Sequence, residues 1–177
     1  MDAAARSLLG QLIARLSAVG VTARFEPAEK LHITLAFLGW VDAAQLAEIK
    51  ETLADVTAGH EMFGLRLDRI SAFPSERRPR VIWVGAYKTD KRYKALSDDL
   101  RTRFGALGFA FKTDAVAHVT LCRLKHSDAP LAQISDFSPI GVSVREIALF
   151  QSLQAAHTTR YHILQRAPLQ EPSSGSS

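Results

Sequence analysis

Apolar residues recur at helical spacing in three stretches of this chain. From Ser7 to Gly20, Leu9, Leu12, Ile13 and Leu16 share one face, and Gly20 suits the position where a helix stops. From Asp42 to Val56 the stripe is Leu46, Ile49 and Leu53, with Asp42 placed to cap the first turn. From Lys94 to Gly108 it is Leu96, Leu100, Phe104 and Leu107, again ahead of a glycine. Elsewhere the period is two, which predicts half-buried strands. These runs are HITLAFLG from His32, HVTLCRLK from His118, Gly64 to Phe73, Gly141 to Phe150, RVIWV from Arg80 and RYHIL from Arg160.

The order of these segments repeats. Gly64 to Phe73 and Gly141 to Phe150 both read G-φ-x-φ-x-x-I-x-x-F, where φ is apolar. Each follows a His-x-Thr run that has a glycine-ended helix before it, and each precedes an arginine and a further strand. The pattern predicts a duplicated chain whose halves bury their apolar faces jointly, a single two-lobed unit over residues 1–169. The copies differ. Between its motif and the G-φ strand the second half has only Ser127 to Pro139, with two prolines and room for a short helical turn. The first helix also lacks a counterpart of the strand from Arg80 to Ala86, so an opening strand upstream, or another segment in its place, is expected. Gln170 to Ser177 is polar and rich in Gly and Ser, which predicts a disordered tail.

Composition narrows the class. With 177 residues, 47% hydrophobic and 23% charged, the chain has the make-up of a soluble globular protein. It holds no apolar run of membrane-spanning length and no signal-peptide pattern, so a cytoplasmic protein is expected. Its one cysteine, Cys122, excludes an intrachain disulfide and a Cys-rich zinc site. A net charge of +4 mildly favours a phosphorylated or polyanionic partner.

The candidate chemistry lies in the two His-x-Thr runs. On a strand, His32 and Thr34 point the same way, as do His118 and Thr120. Ile33, Leu35 and Phe37 then face a core, as do Val119 and Leu121. An imidazole titrates near pH ~6.5, so one histidine can be neutral while the other is protonated, as a base and acid pair requires. The threonine hydroxyls suit the non-bridging oxygens of a phosphate. Strict alternation places Arg123 opposite His118, unless the strand bulges near Cys122, and places Cys122 beside it. A salt bridge is the other role open to Arg123. His60, His126, His157 and His162 lack a partner motif, and no carboxylate stands at metal-ligand spacing from either motif, so no metal is expected. The basic run Arg77, Arg78, Arg80, Lys88, Lys91, Arg92 and Lys94 is either a solvated face or a guide for an RNA backbone.

These residues resemble the 2H phosphoesterases, and within them the LigT/ThpR branch of RNA 2′,3′-cyclic phosphodiesterases, formerly 2′-5′ RNA ligases. EKLHITLAFLG from Glu29 resembles the branch's ENLHLTLxFLG, and HVTLCRL from His118 its HxTLxRL. FQSL from Phe150 and YHIL from Tyr161 resemble its C-terminal strand pair. Lys30 replaces the usual Asn, and Ala156-His157 stands where a Gly-Pro turn is common. The resemblance implies an α/β fold of the α+β type, duplicated and two-lobed. Mainly antiparallel sheets would have helices outside and a central cleft between the two motif strands. It implies a monomeric hydrolase that opens terminal 2′,3′-cyclic phosphates of RNA or oligonucleotides to 2′-phosphates without a cofactor. His32 would act as acid and His118 as base, although the residues themselves are symmetric on this point. Thr34, Thr120 and Arg123 would hold phosphate. Phe25, where the branch often has an aromatic, is a candidate for base stacking, with core packing as the alternative. The same chemistry would serve a small cyclic nucleotide or a reversible 2′-5′ ligation. A nucleotide- or RNA-binding module without catalysis is the remaining class.

Overall fold

The computed structural model describes residues 1–112, 114–126, 131–155 and 158–173. The helices fall where the apolar stripes put them. Helix α1 spans Ala3–Ala18, buries Ala5, Leu9, Leu12 and Leu16, and starts on Asp2, whose carboxylate accepts from Ala5 N–H at 2.8 Å. Helix α2 spans Leu46–Ala58 and buries Ile49, Leu53 and Val56. Asp42 caps a 3-10 turn (Ala43–Gln45) that leads into it, and Gln45 reaches back to the Asp42 amide. Helix α3 spans Lys91–Ala106, three residues earlier than its stripe suggests, because Asp90 accepts from the amides of Arg92 and Tyr93. Gly20 and Gly108, past the ends of α1 and α3, have φ of 79° and 92°, where a side chain would be strained. No described helix is long and apolar enough to cross a membrane.

The described residues form eight strands, in chain order β1 (Ala23–Phe25), β2 (Phe63–Leu67), β3 (Arg69–Phe73), β4 (Val81–Gly85), β5 (His118–Leu124), β6 (Ile140–Val144), β7 (Glu146–Ala155) and β8 (Thr158–Pro168). Each G-φ segment is therefore two strands, broken at Asp68 in one copy and at the equivalent Arg145 in the other. At the first break Asp68 donates its N–H to the Gly85 carbonyl and accepts from Tyr87 N–H through its carboxylate. The sequence marks each break by two consecutive charged positions, Asp68-Arg69 and Arg145-Glu146, where the period of two slips by one. Strands β2 and β6, equivalent in the two copies, pair with each other.

The chain forms two compact units, and neither corresponds to a sequence half. The first comprises Met1–Thr34, Gly64–Tyr93 and Ala115–Ser143. Its centre is a four-stranded sheet in the order β1-β5-β4-β3, antiparallel throughout, with α1 packed on β5. Leu9, Leu16, Ile82, Val119 and Leu121 fill its core. A 3-10 turn at Leu131–Gln133 is the short helical turn expected there.

The second unit comprises Leu35–Phe63, Lys94–Asp114 and Val144–Ser177. In it α2 packs on the long β7–β8 hairpin, which bulges between Leu149 and Phe150. The first residues of the expected tail, Gln170 to Ser173, are held by hydrogen bonds. Gln170 bonds the backbone of His60 and Met62, and Ser173 N–H donates to the Glu61 carboxylate. Residues 174–177 lie outside the described residues.

Candidate active site

Strand β5 carries the second motif, and its register fixes which side chains share a face. Gly85 lies opposite His118, and Trp83 opposite Thr120. The next pairs are Ile82 with Cys122 and Val81 with Arg123, so Leu121 is an extra residue in a β-bulge. The bulge shifts the phase of everything after it. Arg123, paired with Val81, stands on the face of His118 and Thr120, whereas strict alternation predicted the opposite. Cys122 moves the other way, to the far face. It is fully buried, and burial pushes its thiol up to about 11, so it is inert.

The first motif is not a strand of the sheet. After β1 ends, Pro27 to Leu31 loop out through a 3-10 turn (Ala28–Lys30), and the chain rejoins β5 at a single antiparallel bridge between Ile33 and Val119. The register of that bridge sets His32 beside Thr120 and Thr34 beside His118, all four on the side away from Ile33 and Val119. The two motifs are thus neighbours in one unit, where strands facing each other across a cleft had been expected. Side chains replace the missing ladder: the Tyr93 hydroxyl donates to the Thr34 carbonyl at 3.0 Å. Beyond Thr34 the alternation ends, and Phe37, predicted to face a core, is 74% exposed.

Both imidazoles are oriented by the same device. His32 Nδ1 lies 2.7 Å from the Lys30 carbonyl, and His118 Nδ1 lies 2.8 Å from the Val116 carbonyl. A carbonyl only accepts, so each Nδ1 carries the hydrogen, and Nε2 is the ring nitrogen that can exchange a proton. His118 is also set in an aromatic corner, with ring centres 5.0 Å from Phe73 and 5.7 Å from Trp83. Burial lowers its pKa below the ordinary histidine value. The Val116 carbonyl opposes that shift, and the charge of His32 adds to it.

The remaining candidates divide. Thr34 is exposed and Thr120 half-buried, both open to a ligand. Arg123 lies 3.4 Å from the carboxylate of Glu26. Phe25 pairs with Cys122, which turns it to the face opposite His118 and Thr120, where core packing is the role it can fill. Phe73 and Trp83 belong to the site's surroundings, yet the sequence marks them only as apolar strand positions. His60 bonds Asp99 at 3.1 Å in the second unit, His126 and His162 are exposed, and His157 lies outside the described residues. The seven basic residues from Arg77 to Lys94 are exposed. Among the described residues no three His, Cys, Asp or Glu side chains cluster as a metal site.

Paired His-x-Thr motifs on one face of a mixed helix and antiparallel-sheet fold define a phosphoesterase of the 2H type, and comparison with known proteins agrees. Residues 1–83 match the family described as LigT-like phosphoesterase. The RNA 2′,3′-cyclic phosphodiesterase of Thermotoga maritima is 31% identical over 87% of this chain and 83% of its own length. That of Archaeoglobus fulgidus is 34% identical over 86% and 87%. The crystal structure of E. coli LigT complexed with 3′-AMP superposes with a TM-score of 0.80 at 26% identity, covering 97% of this chain and 94% of that one. The chain belongs to the LigT-like phosphoesterase family.

Proposed function

We propose that this protein hydrolyses the terminal 2′,3′-cyclic phosphate of RNA to a 2′-phosphate. The observation that carries the reading is the Ile33–Val119 bridge, which brings His32, Thr34, His118 and Thr120 onto one face with both Nδ1 atoms already bonded. The names of the relatives supply the substrate class. Water attacks phosphorus opposite the ribose 3′-oxygen. His118, held neutral by burial, takes the water proton on Nε2. The P–O3′ bond breaks, and His32 delivers its Nε2 proton to O3′. The Thr34 and Thr120 hydroxyls donate to the non-bridging oxygens, where charge accumulates, and the Arg123 guanidinium is the phosphate fork. Both histidines come from one chain, which supports action as a monomer, and the lone buried thiol is compatible with the cytoplasm.

Incubation of the protein with an oligonucleotide ending in a 2′,3′-cyclic phosphate, with and without EDTA, tests this. A 2′-phosphate product formed equally in both is expected. Absence of turnover, or a 3′-phosphate product, would overturn the reading. A cyclic mononucleotide assayed in parallel reports how much of the substrate beyond the ring is recognised.

A further inference from the structure

His118 is the centre of an aromatic arrangement that its bonding to Val116 does not require. Trp83 and Phe73 stack against each other with ring centres 5.2 Å apart, and both rings contact the imidazole, Phe73 edge-on at 84°. All three side chains project from the same face, from β4, β3 and β5. Trp83 is only 7% exposed, and its indole N–H is buried with no hydrogen-bond partner among the described residues. An unsatisfied buried donor costs on the order of 1–3 kcal/mol. A leucine or phenylalanine would fill this place without that cost, so what the indole adds here is its two aromatic faces.

The backbone beneath is shaped to admit it. Gly85, directly across from His118, lies under the six-membered ring of Trp83. An added Cβ there would come within 2.8 Å of that ring and 2.5 Å of the Ala117 carbonyl oxygen. A side chain at position 85 would displace the indole from its place beside the imidazole. Bare backbone at Gly85, the indole above it and the phenyl ring at its edge are three parts of one packing arrangement.

We propose that Trp83 and Phe73 are positioning residues for the reaction, a wall seated over Gly85 that holds the His118 ring in one orientation and excludes water from its flank. Neither ring touches the reacting atoms. Their effect passes through the imidazole, by fixing the direction of Nε2 and by favouring the neutral ring that accepts a proton. Desolvation is the leading cause of the lowered basicity of His118, as such a wall requires. The charged groups on this face are His32, Arg69 with its partner Glu76, Arg24, and Arg123 with its partner Glu26. All of them are retained when the wall is altered.

The catalytic arm of this proposal rests on His118 acting as the base, so the test carries a second readout independent of turnover. The His118 ring is titrated by NMR in the full-length protein, alongside the pH profile of kcat/KM on a 2′,3′-cyclic nucleotide, for Trp83→Leu, Phe73→Leu and the conservative Trp83→Phe. The expected result is a His118 midpoint that rises toward the ordinary histidine value in both leucine variants. The acid limb of the profile should move with it, and kcat should fall roughly 10-fold or more from lost orientation. Trp83→Phe should restore most of both. Phe73 is half-buried, so Phe73→Leu decides the matter should Trp83→Leu fail to fold. Folded leucine variants with an unchanged His118 midpoint would overturn the wall. A wild-type protein that shows the NMR behaviour without phosphodiesterase activity would instead overturn the proposed reaction and leave the wall standing.

Discussion

Ile33 and Val119 meet across one antiparallel bridge, and through it each catalytic candidate stands beside the threonine of the other motif. His32 neighbours Thr120, and His118 neighbours Thr34. A phosphate held between the histidines is therefore flanked by hydroxyls on both sides of the line joining them.

Removing either imidazole should abolish the acid and base pairing. His32→Ala and His118→Ala are each expected to lower kcat by about 10²–10⁴-fold. The double variant should be little worse than the weaker single one, because the two act in one step. Melting temperatures should stay close to wild type for His32→Ala. Wild-type turnover in either variant would remove that histidine from the mechanism.

The pH dependence has a defined sign. The folded-state pKa of His118 is lowered, so as pH falls through its unfolded value of about 6.5 the unfolded chain takes up the proton first. Its contribution to stability is complete above that value and is lost on acidification toward the folded value. Activity on the acid side should persist below the range of an unperturbed histidine. The whole curve should be bell-shaped, with limits belonging to the coupled pair. An acid limb at or above the ordinary histidine value would contradict the burial of the ring.

Threonine to valine substitutions preserve shape and strand preference while deleting the hydroxyl. Thr34→Val and Thr120→Val should each reduce kcat/KM about 10-fold, consistent with ~1.5 kcal/mol for one hydrogen bond to a charged group. Chemical denaturation should detect little change, since Thr34 is exposed and Thr120 only half-buried. Loss of stability with full activity per folded molecule would assign the hydroxyls to folding.

For Arg123→Gln, the expected result is a KM raised about 10-fold or more with a small effect on stability. Its ion pair with Glu26 is half exposed, and such pairs are worth at most about 1 kcal/mol. Arg123→Lys should recover only part of the loss, because an ammonium lacks the planar fork. Equal kinetics for Gln and wild type would confine Arg123 to the ion pair.

Asp68→Asn addresses the fold. The Tyr87 amide is the main reason the Asp68 carboxyl stays below the usual range, with Arg66 adding to the effect. The carboxylate therefore stabilises the fold above its unfolded pKa near 3.9 and loses that contribution as pH falls through the folded value. The variant should be less stable than wild type at neutral pH, by about 1 kcal/mol, and the gap should close in acid.

Much of this was legible in the residues. The stripes Leu9–Leu12–Leu16, Ile49–Leu53 and Leu96–Leu100–Phe104 locate the three helices because burial of one face is a local, periodic property. The two His-x-Thr copies were legible as repeated motifs, and the structure brings their side chains onto one face. What escaped was non-local. The bulge at Leu121 depends on how β4 pairs with β5, and within His118 to Leu124 only the adjacent apolar pair Leu121-Cys122 hints at it, so strict alternation alone puts Arg123 and Cys122 on the wrong faces. The first motif has strand-like composition, yet it keeps one bridge to β5 and takes a hydrogen bond from the Tyr93 hydroxyl in place of the ladder that composition predicts. Trp83 and Phe73 read as ordinary core positions, since nothing in the sequence announces that His118 will lean against them.

The pairing of β2 with β6, like that of Ile33 with Val119, joins each copy of the repeat to the other. A chain severed between the copies would yield two fragments, neither containing all the segments of the first compact unit. Each would expose the strand edges its counterpart covers, and apart they should remain unstructured or aggregate. Mixed, they should recover both fold and turnover by complementation.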